Sequence, residues 1–137
     1  MQTKAFTKAL AGKAQSCLAA NNSARMPRTQ LGLYTTTKAA LSHFCRNLAL
    51  EVAPHVRVNI ISPGSTLTAM QQQLWPDSEP PANIIDSNPS QYRLGIPFRK
   101  LTQPADIANT VSLLLSEQAA QITMQEIVVD GGTTLEV

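Results

Sequence analysis

The sequence predicts an α/β domain built on a parallel sheet, because two helical patterns alternate with two short apolar runs. The patterns predict helices at 30–52 and 104–116 and strands at 56–61 and 126–130. Helix, strand, helix, strand is the order in which right-handed crossovers join parallel strands. The composition agrees, since 43% of the 137 residues are hydrophobic and only 15% are charged, as suits a sheet that is buried on both faces.

The first predicted helix, 30–52, is amphipathic. Its apolar residues recur at spacings of three and four, which predicts one buried face. They are Leu41, Phe44, Cys45 and Leu48. Pro54 cannot continue a helix, so the helix is predicted to end before it. The strand at 56–61 follows, and Pro63-Gly64 terminates it.

The second predicted helix, 104–116, begins with Pro104, a residue that suits the first turn of a helix. Its predicted inner face consists of Ile107, Val111, Leu114 and Leu115. The segment 65–97 before it is polar and contains five prolines, which predicts a mobile lid beside a cleft. Residues 1–20 have weak helical character and no β-branched run, so no strand is predicted there.

Tyr34 and Lys38 are four residues apart on the first helix and are therefore predicted to share one face. An ammonium beside a phenol stabilises the phenolate, which makes the phenol a better base. The pair suits the removal of a proton from an alcohol. Taken alone, this spacing more often marks an ordinary pair of surface residues.

The motifs after Tyr34 follow an order that resembles the C-terminal half of the short-chain dehydrogenase/reductase family. They are Val56-Arg57-Val58-Asn59-Ile60-Ile61-Ser62-Pro63-Gly64, Thr68, Pro104-Ala105-Asp106-Ile107-Ala108 and Ile127-Val128-Val129-Asp130-Gly131-Gly132. Within the family, three further stretches are similar to the members that oxidise 2,3-dihydro-2,3-dihydroxybenzoate in siderophore synthesis. These stretches are Ser62 to Trp75, Leu94-Gly95-Ile96-Pro97 and Ile122 to Leu135.

The resemblance implies that residues 21–137 form the C-terminal half of a Rossmann-like, doubly wound parallel sheet, preceded by a divergent segment at 1–20. The N-terminal nucleotide-binding half is expected to be missing, because none of the six glycines forms a Gly-rich turn between a strand and a helix. The implied cofactor is NAD. Without that turn, this chain is expected to bind NAD poorly.

The resemblance also implies roles for individual residues. Tyr34 would be the catalytic base, while Lys38 would stabilise its phenolate and hold the nicotinamide ribose. Asn21 stands where the family has a serine that binds the substrate hydroxyl, and its amide can still donate a hydrogen bond. Pro63 and Gly64 would lie under the nicotinamide. Thr66 and Thr68 would complete the cofactor site.

The implied substrate is a small dihydrodiol that carries a carboxylate. Arg28, or Arg25, would meet the carboxylate, and Met70, Gln71 and Trp75 would begin the lid. Structural roles for these residues stay open: Pro63-Gly64 as a turn, Thr68 as a helix N-cap and the arginines as solvated surface residues. The chain could also be a non-catalytic remnant that docks onto a full-length homologue, or another reductase of the family, such as one acting on 3-oxoacyl thioesters. The Met70 to Trp75 stretch argues against that last alternative.

Other classes of function find little support in the sequence. The net charge of +2 is too small to indicate a nucleic-acid partner, and no apolar stretch is long enough for a membrane span. Cys17 and Cys45 lack metal-ligand spacing, so they are predicted to be packing residues and no metal is expected. By resemblance, the protein is expected to be cytoplasmic and to self-associate through the helices at 30–52 and 104–116.

Overall fold

The computed structural model describes residues 15–73, 75 and 82–135, except for the side chains of residues 15–18, 70 and 91. The predictions for residues 1–14, residues 76–81 and the side chains of Cys17 and Met70 lie outside this part of the chain. The described strands and helices are β1 (Gln15–Ala19), α1 (Gly32–Val52), β2 (Arg57–Pro63), α2 (Ala69–Gln72), α3 (Ala82–Ile85), α4 (Pro104–Leu115) and β3 (Glu126–Val129). Single 3-10 turns lie at Asn22–Ala24, Pro89–Gln91 and Glu117–Ala119.

The three described strands form one parallel sheet in the order β1-β2-β3. In the central strand, Ile61 is paired with both Ala19 of β1 and Ile127 of β3. The prediction of only two strands was therefore wrong. β1 contains no β-branched residue, so its local sequence carries little strand preference, and its conformation follows from main-chain pairing with β2.

The helices α1 and α4 cover opposite faces of the sheet. Val58 and Ile60 belong to the same core cluster as α1 residues, whereas Ile61 packs with Leu114 of α4. Successive side chains of a strand point to opposite faces, so β2 is buried on both sides. This arrangement confirms the predicted α/β architecture.

Both amphipathic helices were predicted with one residue misplaced. On α1, Cys45 and Leu48 are buried, but Phe44 is 57% exposed. On α4, Leu114 is buried, but Leu115 is 41% exposed. In each case the misplaced residue directly neighbours a buried one in sequence, and a step of one residue turns the side chain by about 100° around the helix. Spacing along an apolar-rich helix therefore did not locate the edge of the buried face.

The described parts of the predicted lid are more structured than its polar sequence suggested. The helices α2 and α3 lie in this segment, and four buried residues form a small core beneath it. They are Trp75, Ile84, Ile96 and Leu101. Leu67 and Ile85 pack against this cluster.

The carboxyl ends of the three strands lie side by side at one edge of the sheet. Asn21 and Asn22 follow β1, Gly64 follows β2, and Asp130 follows β3. In open α/β sheets this edge is where ligands bind. The polar residues that follow the strands are therefore positioned to form a site.

Candidate active site

Tyr34 lies in the first turn of α1 with its side chain 42% exposed. The Nζ atom of Lys38, one turn further on, lies 5.6 Å from the centroid of the Tyr34 ring. The two side chains therefore share one face of the helix, as their spacing predicted. The hydroxyls of Thr35 and Thr36 donate to the carbonyl of Gly32, at 3.0 and 2.9 Å, so these neighbours are bonded within the helix.

Tyr34 borders an open cleft of about 460 Å³ at the carboxyl edge of the sheet. Of the residues with a predicted role, five line this cleft. They are Asn21, Arg28, Tyr34, Gly64 and Gln71. The cleft falls within the size range of small-molecule sites.

Asn21 is the N-cap of the 3-10 turn Asn22–Ala24. Its Oδ1 accepts hydrogen bonds from the Ser23 backbone nitrogen, at 3.0 Å, and from the Ser23 hydroxyl. These two bonds engage the carbonyl of the side chain. The amide nitrogen can donate a hydrogen bond to a ligand. Ser23 also lines the cleft and is 3% exposed.

The buried carboxylate of Asp130 is not in the lining of the cleft, but it binds Asn22, which is. Its Oδ2 accepts hydrogen bonds from Asn22 Nδ2, at 3.0 Å, and from the Thr134 hydroxyl, at 2.5 Å. The backbone nitrogens of Gly132 and Thr134 also donate to this carboxylate, each at 2.9 Å. Burial opposes ionisation, but these hydrogen bonds outweigh it and hold the pKa of Asp130 below its ordinary value.

Gly64 brings the end of β2 against Asp130. Its backbone nitrogen donates to the carbonyl of Val129 at 3.0 Å. A Cβ atom on Gly64 would lie 2.4 Å from the Cβ and 2.9 Å from the Cα of Asp130. Only glycine fits this close approach between the ends of β2 and β3.

The other predicted site residues lie around this cleft but not in its lining. Lys38 contacts Tyr34 from outside the cleft. The Thr66 hydroxyl donates to the carbonyl of Gly64 at 3.1 Å. Thr68 is the N-cap of α2, where its hydroxyl accepts from the Gln71 backbone nitrogen at 3.2 Å. Pro63 is the last residue of β2, and Trp75 is buried in the small core.

A buried carboxylate also joins the Tyr34 helix to the sheet behind the cleft. The Glu126 side chain on β3 is 3% exposed and pairs with Arg46 at 2.5 Å. Its Oε1 accepts hydrogen bonds from the hydroxyls of Ser62, at 2.6 Å, and Ser42, at 3.3 Å. Ser42 is one turn after Lys38, and Ser62 immediately precedes Pro63. The network therefore connects the Tyr/Lys helix with the strand end that faces the cleft.

Several lining residues were not predicted from the sequence, and Arg93 is the most informative of them. Arg93 lies in the segment that was predicted to be a lid, and no local spacing connects it with Tyr34 or Arg28. Burial, followed by the positive charge of Arg93, lowers the pKa of Arg28, against an opposing contribution from Asp130. The adjacent pair Asn21-Asn22, followed by Ser23, was the available signal for the polar turn after β1.

A larger cleft of about 610 Å³ lies beside Gly131 and Gly132, and Lys100 and Asp106 are also in its lining. Tyr34 does not border it. The Tyr34 cleft, by contrast, combines a phenol, amides and guanidinium groups. Across residues 15–73, 75 and 82–135 no cluster of histidine, cysteine and acidic residues suits a metal, and no helix is long and apolar enough to cross a membrane.

The chain is similar in sequence to known proteins. Residues 2–134 match the family model of the short-chain dehydrogenases described as enoyl-(acyl carrier protein) reductase. The chain is 47% identical over 117 residues to the vibriobactin-specific 2,3-dihydro-2,3-dihydroxybenzoate dehydrogenase of Vibrio cholerae. It is 45% identical over 118 residues to the 2,3-dihydro-2,3-dihydroxybenzoate dehydrogenase of Bacillus subtilis. Each match covers 85% of this chain and 45% of the relative, so the chain spans about half the length of these proteins.

A solved structure agrees with the sequence matches. The fold superposes on a 7α-hydroxysteroid dehydrogenase complexed with NADH and 7-oxo glycochenodeoxycholic acid, with a TM-score of 0.78 and 27% identity. This superposition covers 98% of this chain and 50% of that one. The resemblance and the predicted fold class are thereby confirmed.

Proposed function

Because this chain belongs to the short-chain dehydrogenase/reductase family, we propose that it contributes to the NAD-dependent oxidation of 2,3-dihydro-2,3-dihydroxybenzoate to 2,3-dihydroxybenzoate in cytoplasmic siderophore synthesis. The names of the relatives from Vibrio cholerae and Bacillus subtilis support this choice of reaction. One structural observation carries it: Tyr34, beside Lys38, borders the same cleft as Asn21 and Arg28.

In this proposal Tyr34 removes the proton from one substrate hydroxyl. The ammonium of Lys38, 5.6 Å from the ring centroid, stabilises the negative charge that the phenol carries when it acts as a base. The Asn21 amide donates a hydrogen bond to the reacting oxygen, which is the role of an oxyanion stabiliser. Arg28 binds the carboxylate and so orients the ring with a hydroxyl toward Tyr34.

The described residues fit the nicotinamide end of NAD. Gly64 lines the cleft at the end of β2, where a side chain would collide with Asp130. Pro63 and Gly64 would support the nicotinamide, Lys38 its ribose, and Thr66 and Thr68 the adjacent edge of the site. NAD supplies a hydride acceptor when it is bound. None of the six glycines lies in a Gly-rich turn of the kind that binds a pyrophosphate, so we expect weak NAD binding by this chain.

The test is product formation by the purified protein. The protein would be incubated with the dihydrodiol and millimolar NAD, and both NADH absorbance and the catechol product would be measured. We expect NADH and 2,3-dihydroxybenzoate in equal amounts, because removal of a hydride and a proton from the diol leaves a ketone that tautomerises to an aromatic ring. If no product appears above the protein-free control, the proposed function is wrong for this chain.

We also propose that the protein self-associates through α1 and α4. Leu33 and Phe44 are 84% and 57% exposed, and eleven residues bring them to nearly the same side of α1. On α4, Leu113 and Leu115 are 49% and 41% exposed. Exposed apolar surface of this kind is typical of association sites. The same face of α1 would serve a non-catalytic chain that docks onto a full-length homologue.

Sedimentation velocity tests self-association. We expect the unmodified protein to sediment as an oligomer and F44E to sediment as a monomer, because a charge at this position cannot be buried at low cost. H43E, on an exposed neighbouring residue, serves as the control. A monomeric unmodified protein, or an F44E oligomer of unchanged size, would contradict the proposal.

A further inference from the structure

Two arginines from distant parts of the chain line the Tyr34 cleft together. Arg28 lies between β1 and α1, and Arg93 lies 65 residues later, between α3 and α4. Within the described residues, neither guanidinium has a carboxylate within 4.0 Å or a side-chain hydrogen bond. Both side chains are partly buried. Neither guanidinium is therefore neutralised by a direct ion pair, although the carboxylate of Asp130 attracts Arg28 from beyond ion-pair distance.

The arginines outside the cleft differ in this respect. Arg46 pairs with Glu126 and Arg99 pairs with Asp86, each at 2.5 Å. The guanidinium of Arg57 donates to the carbonyls of Ile122, at 3.0 Å, and Ser116, at 3.2 Å. Arg28 and Arg93 thus differ from Arg46, Arg57 and Arg99, whose guanidinium groups each have a direct ion pair or hydrogen bond.

Two like charges in one partly buried cleft repel each other. Burial and the charge of Arg93 disfavour protonation of Arg28, and together they outweigh the opposing attraction of Asp130, so the pKa of Arg28 lies below its ordinary value. A bound anion would remove this repulsion and supply charge-assisted hydrogen bonds to both groups. The electrostatics of the cleft therefore favour an anionic ligand over a neutral one.

The backbone holds Arg93 in place before any ligand binds. Arg93 and Asn88 exchange two main-chain hydrogen bonds, at 3.0 and 2.9 Å, which close the turn around Pro89–Gln91. On the opposite side, the Leu31 nitrogen donates to the carbonyl of Arg28 at 3.3 Å. Because both arginines are on ordered turns, little backbone entropy is lost when they bind an anion.

We propose that Arg93 joins Arg28 in binding the carboxylate of a single-ring substrate, and that this pair selects carboxylate-bearing diols over neutral ones. The inference rests on the proposed function and adds to it a residue that determines specificity. A carboxylate offers two oxygens to two planar guanidinium forks. A cleft of about 460 Å³ accommodates one ring between this pair and the Tyr34 hydroxyl.

Calorimetric titration of the purified protein tests the proposal without turnover. The probes are 2,3-dihydroxybenzoate, its neutral analogue catechol, and inorganic phosphate. We expect 2,3-dihydroxybenzoate to bind at least about tenfold more tightly than catechol, because a charge-assisted hydrogen bond contributes roughly that factor or more. R93Q should lose about tenfold in affinity for the carboxylate and leave catechol binding unchanged. R28Q should behave in the same way.

R99Q is the matched control, because Arg99 also lies between α3 and α4 but is exposed and pairs with Asp86. Its affinity for 2,3-dihydroxybenzoate should equal that of the unmodified protein. R93K, which keeps the charge and loses the fork, should recover part of the affinity. Unchanged catechol binding by R93Q shows that R93Q is folded.

Three results would overturn the assignment: equal affinity for 2,3-dihydroxybenzoate and catechol, unchanged affinity in folded R93Q, or phosphate binding more tightly than the carboxylate. Failure of the dehydrogenase proposal gives a different pattern, since the carboxylate would still bind through both arginines while no NADH forms from the diol.

Discussion

Asn22 Nδ2 donates a 3.0 Å hydrogen bond to Oδ2 of Asp130, a residue 108 positions later in the chain. The bond joins the turn that follows β1 to the end of β3, across the end of the central strand. Both side chains are buried, at 2% and 5% exposed. Asn22, in the lining of the Tyr34 cleft, is therefore held by a carboxylate that also accepts hydrogen bonds from the turn after β3.

D130N is expected to destabilise the protein by about 2 kcal/mol, because it replaces charge-assisted hydrogen bonds with neutral ones. The NH2 group of the new asparagine, itself a donor, would also face the backbone nitrogen and the hydroxyl of Thr134, which donate to Asp130 Oδ2. Chemical denaturation measures the loss. D86N is the control: Asp86 is 53% exposed in its ion pair, so the change should stay within about 0.5 kcal/mol. Equal effects of the two substitutions would contradict the structural role of Asp130.

The stability of the protein should fall in acid partly through Asp130. Its pKa in the folded state lies below the ordinary value of 3.8, so its contribution is complete above that value and is lost as the pH falls through the lower, folded-state pKa. Denaturation at a series of pH values would compare the free energies of unfolding of the unmodified protein and D130N. We expect the difference between them to narrow below about pH 4. A difference that is constant with pH would contradict this prediction.

Two ion pairs of equal length should contribute differently to the free energy of unfolding. Arg46–Glu126 and Arg99–Asp86 both measure 2.5 Å, but the Glu126 side chain is 3% exposed and that of Asp86 is 53% exposed. R46A leaves a buried carboxylate without its cation and should cost about 2 kcal/mol, less than for a fully buried pair. R99A should change the free energy of unfolding by less than about 0.5 kcal/mol. Denaturant titration of both variants compares them, and similar losses would refute the distinction.

Replacement of glycine by alanine should have opposite effects on stability at Gly64 and Gly32. G64A places a Cβ 2.4 Å from the Cβ of Asp130 and should cost about 2 kcal/mol or more, because backbone and a buried carboxylate must move. At Gly32, the first residue of α1, an added Cβ has no atom within 4 Å. G32A should therefore stabilise the protein by about 0.5 kcal/mol. Melting temperatures that shift in the same direction would show that this account of Gly64 is wrong.

The main elements of the fold could be predicted from the sequence because apolar spacing distinguishes helices from strands, although it misplaced Phe44 and Leu115 on the buried faces. The observed α1, β2, α4 and β3 agree with the predicted ranges to within two residues at each end. β1 could not be predicted in this way, since Gln15–Ala19 forms a strand through pairing with β2 and not through its own preference.

The site was only partly predictable for a similar reason. Tyr34 and Lys38 are close in sequence, so helix geometry alone predicts their contact. Arg93 enters the lining of the cleft, and Asp130 bonds to Asn22 in that lining, through long-range packing that their local sequences do not indicate. The contact between Tyr34 and Lys38 could therefore be predicted from the sequence, whereas the positions of Arg93 and Asp130 could not.

Substitution of the two tyrosines tests the central claim, that Tyr34 is the base of this cleft, most directly. Y34F and Y92F each remove one hydroxyl, and Tyr92 is 85% exposed outside the cleft. The measurement is the rate of NADH formation from 2,3-dihydro-2,3-dihydroxybenzoate, together with the affinity for 2,3-dihydroxybenzoate. We predict that Y34F loses about 100-fold or more in rate with near-normal affinity, while Y92F keeps both. A Y34F protein that turns over as fast as Y92F would contradict the account.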